Sequence, residues 1–227
     1  MLNFLRVISF LLCLALSLVI SSAGISFATA ISITDSDRAA VIGLPAPLPF
    51  TLVANFSNES TLYVWDEVQN YTLTQNLFVN RVADPTASYV GESGGNYYIT
   101  SGTIVSSHYV QWDPISDSVE ATLNFDSDIF AFITSDAYLA NSYYLGLPDI
   151  NYGDFNLRGL EAGDLTNFNG GSVDIDWTAS NPGDWTRLIT AFSPGAPTNP
   201  IPEPSTFILL GGGLAGLAFF ARRRKKE

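Results

Sequence analysis

Apolar and polar residues alternate with a period of two through much of the middle of this chain, the period of a half-buried strand rather than a helix. Residues 31–43 are a polar lead-in, and Leu44-Pro45-Ala46-Pro47-Leu48-Pro49 reads as an extended segment because proline cannot donate to a ladder. Residues 50–56 form a first strand candidate, closed by the turn residues Asn58, Glu59 and Ser60. Residues 61–65 form a second and 70–80 a third, where Tyr71, Leu73, Leu77 and Val79 alternate with polar neighbours apart from a break near Gln75. A Gly-rich turn at 91–95 opens a longer strand over 96–112, with Tyr98, Ile104 and Tyr109 as inward positions, and Asp113-Pro114 ends it. Residues 120–125 and 129–133 make a strand pair across Asp126-Ser127-Asp128. A short helix is predicted over 136–144, with Ser135 or Asp136 as its cap. After a loop-rich stretch to Asn169, residues 172–177 and 184–192 read as closing strands. Short strands, turn signals roughly every 8–12 residues and almost no helical period predict a mainly β fold, an antiparallel β-sandwich or jelly roll.

Both ends break this pattern with uninterrupted apolar runs. At the start, Arg6 supplies a positive charge, residues 7–20 an apolar stretch, and Ala28-Thr29-Ala30 an A-x-A cleavage site. That order is a secretory signal helix, and a cut after Ala30 leaves Ile31 first; a cut after Ala23 is the weaker choice. At the other end, Pro202 and Pro204 hold Glu203 on a stiff extended segment. Residues 207–220 follow without a charge and would cross about 21 Å as a helix. That makes a short C-terminal transmembrane helix, against the roughly 30 Å of a hydrocarbon core. Arg222, Arg223, Arg224, Lys225 and Lys226 then retain the end on the cytoplasmic side. The chain thus divides into a signal peptide (1–30), a β passenger (31–192), a Pro-rich linker (193–200) and a tail (201–227).

The order of the tail resembles the PEP-CTERM sorting signal of exported bacterial proteins: Pro202-Glu203-Pro204, an apolar run containing Gly211, Gly212, Gly213 and Gly216, and a terminal basic cluster. The resemblance implies an exosortase, a membrane enzyme, cutting near the Pro-Glu-Pro motif, in a bacterium that makes exopolysaccharide. A permanent tail anchor is the alternative, in which the glycines are small residues permitting helix contact. The passenger carries a second resemblance. Residues 107–114, Phe125-Asp126, Leu145-Gly146, residues 158–161, Gly163-Asp164 and residues 182–187 form a series similar to a recurring domain of exported bacterial proteins. It implies an extracellular domain and supplies no activity.

Charge sharpens the picture. Between residues 31 and 206 stand twenty-one acids against Arg38, Arg81, Arg158 and Arg187, a net of −17 without a single lysine. Such a surface repels nucleic acid and anionic lipid headgroups, so no nucleic-acid partner is expected. The one cysteine, Cys13, lies inside the signal and follows Leu12 rather than a small residue, so it marks no lipoprotein site. The mature chain has no disulfide to form.

Candidate chemistry is sparse. Gly91-Glu92-Ser93-Gly94-Gly95 fits a G-x-S-x-G pattern, but the only histidine, His108, follows in neither the order nor the context of a hydrolase, so a hairpin turn is the reading. His108 reads as a structural imidazole at a strand edge near Trp112 and Asp113; zinc would want more histidine or cysteine. Acid pairs occur at Asp35/Asp37, Asp126/Asp128 and Asp174/Asp176, with same-side carboxylates in a strand. Asp126 and Asp128, with Asp149 or Asp154, are the candidates for a structural calcium, although no cofactor is assigned. Trp65, Trp112, Trp177 and Trp185 are core residues first and a sugar-stacking platform second. The sequence therefore describes a non-enzymatic exported protein without catalytic residues. It is handed by exosortase and the secretion machinery from an inner-membrane intermediate to the cell surface or matrix, with exopolysaccharide as its candidate partner. The alternatives are a carboxylate-dependent glycan hydrolase and a tail-anchored binding domain.

Overall fold

The computed structural model describes residues 30–153 and 156–196, and within them the chain is mainly β, arranged in several sheets. The first half contains β1 (Ala30–Thr34), β2 (Ala39–Ile42), β3 (Phe50–Thr51), β4 (Glu59–Asp66), β5 (Tyr71–Thr72), β6 (Leu77–Val79) and β7 (Arg81–Val82). Next come β8 (Val90–Ser93), β9 (Asn96–Ile99), β10 (Ile104–Asp113), β11 (Ser116–Phe125) and β12 (Ile129–Ile133). A helix α1 (Asp136–Asn141) and a 3-10 turn (Tyr143–Leu145) precede β13 (Ile150–Asn151), β14 (Leu165–Asn169), β15 (Ser172–Ser180) and β16 (Asp184–Thr190). The larger sheet runs β2-β4-β10-β16-β12-β7, and a four-stranded sheet runs β1-β11-β15-β14. Small sheets form from β6-β9-β8 and from β13-β3.

The larger sheet is buried on both faces. Leu62, Val64, Val110, Trp112, Phe132 and Leu188 meet Val119, Leu123, Val173, Ile175 and Trp177 of the four-stranded sheet in one apolar cluster. On the opposite side Trp65, Tyr109, Ile133, Trp185 and Ile189 pack under Leu52, Leu77, Ile99, Leu139, Leu145 and Tyr152, from loops, short strands and α1. Hence β16 is buried at every position and β10 at every position after Ile104, whereas β15 buries only alternate residues over a solvated outer face. In β12 a register shift between Ile129 and Ala131 rephases the strand, so Ile129 and Phe132 join one cluster and Ala131 and Ile133 the other.

Several boundaries differ from the sequence reading. The polar lead-in forms two strands: β1 pairs antiparallel with β11, and β2 pairs parallel with β4. The long strand over 96–112 is two strands, split by a turn at Thr100–Thr103 in which Gly102 takes φ +90°. Ile104, read as inward, is 43% exposed at the start of β10. The 70–80 strand is likewise interrupted into β5 and β6, and β14 forms inside the stretch read as loop. Only Gly94 and Gly95 make the turn of the β8–β9 hairpin, with φ +60° and +81°, values that suit glycine; Gly91 to Ser93 belong to β8. The predicted helix is present, but neither expected side chain caps its own end. Asp136 instead accepts the N–H groups of Leu157, Arg158 and Gly159.

Residues 193–196 of the expected linker are packed onto this body. Ser193 exchanges hydrogen bonds with Asn70, and Asp126 accepts from the Ser193 hydroxyl and the Gly195 N–H. The compact unit runs to Ala196. Among the described residues no helix is long and apolar enough to cross a membrane. The signal helix, Ala28, the motif Pro202-Glu203-Pro204, the transmembrane helix over 207–220 and the basic run 222–226 lie outside the described residues. Ala30 is the first residue of β1, opposite Phe125.

Candidate functional site

Three polar groupings stand out among the described residues of the passenger, and each joins elements far apart in sequence. The first surrounds His108. Its place is central, on β10 between β4 and β16, not at a strand edge, and its partners are neither Trp112 nor Asp113. Nδ1 lies 2.7 Å from Asp66 Oδ1 and Nε2 lies 3.1 Å from the Thr190 hydroxyl, while the ring sits 4.6 Å from Phe125. Hydroxyl, imidazole and carboxylate stand in the order of a nucleophile relay. Yet His108 and Thr190 are 0% exposed, so no substrate reaches the hydroxyl. The grouping satisfies buried polar atoms within an apolar cluster.

The second grouping lies on the other face of the same sheet. Glu67 and Arg187 form a two-pronged ion pair, Nε to Oε2 at 2.5 Å and Nη2 to Oε1 at 2.8 Å, with both side chains fully buried. The Ser107 hydroxyl donates to Glu67, and Arg187 Nη1 donates to the Ser142 hydroxyl at 2.6 Å and the Leu139 carbonyl at 3.3 Å. The guanidinium also lies over the rings of Tyr109 and Tyr152 at 5.3 and 5.2 Å. Burial works against the arginine's charge, but the adjacent Glu67 more than offsets it, so Arg187 is held above its ordinary range. Burial, chiefly, pushes the Tyr109 hydroxyl well up against the opposing charges of Arg187 and Arg158, and it finds no hydrogen-bond partner among the described residues. Arg158, 1% exposed, donates to the Tyr152 carbonyl and to the Tyr143 hydroxyl. Two of the passenger's four cations are thereby withdrawn from solvent, along with the acids Glu67, Asp113, Asp164 and Asp184, so the surface stays anionic.

The third grouping is Glu161, Asp164 and Asp184, whose ligand-capable atoms all lie within 4.8 Å of one another. Burial, with the charges of Asp164 and Glu161 beside it, pushes the Asp184 carboxyl up to about 9. Sequence reading missed this trio because Asp184 lies twenty residues beyond Asp164 and meets it only where the chain passes from β15 of the four-stranded sheet to β16 of the larger one. The signal available was the Glu-x-x-Asp spacing of 161 and 164.

The residues singled out from sequence do not converge. Asp126 is held by Ser193 and Gly195, and Asp128 is exposed. Asp174 and Asp176 lie on the solvated face of β15, with the Thr122 hydroxyl donating to Asp174 at 2.7 Å. Ser93 is exposed on β8, whereas both ring nitrogens of His108 are engaged elsewhere. All four tryptophans are at most 2% exposed, so none offers a stacking surface.

Comparison with known proteins speaks to the tail. A family model described as the PEP-CTERM protein-sorting motif matches residues 200–225. The chain carries a PEP-CTERM sorting motif. The match spans Pro202, Glu203 and Pro204, the apolar run and the basic residues through Lys225. A PEP-CTERM motif indicates an exported, membrane-transiting protein that is sorted to the cell surface and processed by an exosortase. No curated protein matches the chain, and no solved structure matches it.

Proposed function

We propose that this chain is a non-enzymatic surface or exopolysaccharide-matrix protein: a β-sandwich passenger delivered by an exosortase that acts near Pro202-Glu203-Pro204. The match of residues 200–225 to the PEP-CTERM motif is the observation that carries this reading. The passenger adds support in three ways. Its anionic surface, with Arg158 and Arg187 buried, suits a hydrated matrix and disfavours nucleic acid. Its hydroxyl–imidazole–carboxylate grouping is sealed from solvent. Two surface depressions, one along residues 49–51 and 148–151 and one around Gln75, Phe78, Tyr138 and Tyr144, contain Asp149 as their single acid, short of the carboxylate pair a glycosidase uses.

The direct test compares the wild-type protein with a Pro202→Ala, Glu203→Ala, Pro204→Ala variant in the native host by fractionation. Wild type is expected at the surface or in the matrix, and the variant in the inner-membrane fraction. Equal distribution of the two would remove the sorting role of the motif. Retention of wild type on the host's purified polysaccharide supports the matrix assignment, and absence of retention across a glycan panel sinks it.

A further inference from the structure

The loop entering β14 and the first residue of β16 converge on a point where negative charge is concentrated and partly unsatisfied. Asp184 is 1% exposed, and its Oδ2 receives no hydrogen bond from an N–H or neutral hydroxyl donor among the described residues. A carboxylate oxygen without such a donor in that position loses its hydration without replacement, a large cost for a charged group. The neighbours that act on it are both acids, Asp164 through its charge and Glu161 through its charge and a carboxyl–carboxylate hydrogen bond. Asp164 is 5% exposed and rigidly aimed: its two oxygens accept the Glu161 N–H at 2.7 Å and the Thr178 N–H at 3.0 Å, leaving further lone pairs free. Glu161 is exposed and closes the open side. Arg81 is the nearby cation; it interacts with Asp164 and donates to the Thr166 hydroxyl at 2.5 Å, and the charges acting on Asp184 do not include it.

The surrounding backbone is fixed before any ligand arrives. Leu160 N–H donates to the Thr134 carbonyl at 2.9 Å, Trp185 N–H to the Arg158 carbonyl at 2.6 Å, and Asp136 ties residues 157–159 to α1. Two oxygens on opposite sides of a calcium ion, each at about 2.4 Å, stand about 4.8 Å apart. The ligand atoms of Glu161, Asp164 and Asp184 fall within that span of one another.

We propose that Glu161, Asp164 and Asp184 bind one calcium ion, which joins the loop before β14 to the start of β16. The donor set is entirely oxygen, the preference of a hard cation, and lacks the histidine or cysteine that would favour zinc. The site uses no residue of the tail motif, so it is independent of the sorting reading and stands or falls separately. Calcium in the extracellular medium would lock the edge strand β14 to the larger sheet, giving an exported protein a stability set by its surroundings.

The test uses the mature protein purified from its host, stripped with EDTA and freed of chelator. Calcium is titrated at constant ionic strength while thermal unfolding is followed, and equilibrium dialysis counts the bound metal. Wild type is expected to bind one calcium per chain, and its Tm to rise by about 5–10 °C at a hundredfold excess over Kd. Asp184→Asn is expected to show no calcium-dependent shift, with a Tm in the absence of metal at or above that of wild type. Should Asp184→Asn fail to accumulate, Glu161→Gln at the exposed position is expected to fold normally and to weaken calcium binding tenfold or more. An equal Tm shift with magnesium in wild type and in Glu161→Gln, or no saturable calcium binding by folded wild type, overturns the proposal.

Discussion

The tail and the passenger encode their roles in opposite ways. The tail, residues 200–225, works through linear order: a Pro-Glu-Pro motif, an apolar run and basic residues, all within reach of one reader. The passenger works through pairs far apart in the chain, such as Glu67 with Arg187, 120 residues apart, and His108 with Thr190, 82 residues apart. A linear signal survives any change in the passenger that leaves it exportable, and the two apolar clusters of the passenger are built from residues outside the motif. Destination and fold should therefore separate cleanly under mutation.

The largest expected effect is on destination. Replacing Pro202, Glu203 and Pro204 with alanine should deplete the surface pool almost completely while leaving the denaturant midpoint of the purified passenger unchanged. A fall in that midpoint would show that the two regions are not separable. The converse comes from Glu67→Ala, which leaves Arg187 buried without its partner and should cost about 3–5 kcal/mol in urea unfolding. Tail processing of the surviving folded molecules should stay normal. Restoring an apolar pair with Glu67→Leu and Arg187→Met should regain much of that loss, because the ion pair's desolvation disappears with it.

Leu188→Ala probes the opposite face of the larger sheet, away from the Glu67–Arg187 pair. It should cost about 2–5 kcal/mol, the sum of lost burial and the cavity left beside Phe132 and Trp177. Its effect should be additive with that of Glu67→Ala, because the backbone of the sheet separates the two faces. Strong coupling would mean that the sheet transmits strain between them.

The smallest effect belongs to the surface pair of Arg38 and Asp117. A hydrogen bond from Arg38 holds the Asp117 carboxyl well below the ordinary carboxylate range. The unfolded chain takes up that proton first, so the pair's contribution is present above about pH 4 and fades as pH falls through the depressed value. Arg38→Ala should lower the urea midpoint slightly at pH 7 and by less at pH 3. An identical decrement at both pH values would remove the ion pair as its cause.

How legible each region was follows from the same contrast. The tail could be read directly because every residue that matters lies within one short window. β4, β12 and β15 were visible as short apolar or alternating runs. β1 and β2 were not, because each is a short edge strand beside the polar run Asp35-Ser36-Asp37-Arg38, and pairing with β11 and β4 defines them. β14 offers only Leu165 and Phe168 as apolar residues, and its pairing with β15 supplies the rest. β10 hid its alternation because both faces of the larger sheet are covered, which also misplaced His108 at an edge. The ion pair had one faint trace in sequence: Arg187 sits within Asp184-Trp185-Thr186-Arg187-Leu188-Ile189, a run whose burial demands an acid partner. Nothing local identified that partner as Glu67. The acid trio at Glu161, Asp164 and Asp184 was out of reach for the same reason, while the local pair Asp126 and Asp128 drew attention that the fold directs elsewhere.

The most direct test is the intact mass and C-terminal sequence of the mature protein recovered from the surface or matrix of its native host. The account predicts a chain that ends near Pro202-Glu203-Pro204, with the apolar run and the basic cluster gone. A protein that still ends at Glu227 and stays in the membrane fraction would contradict it.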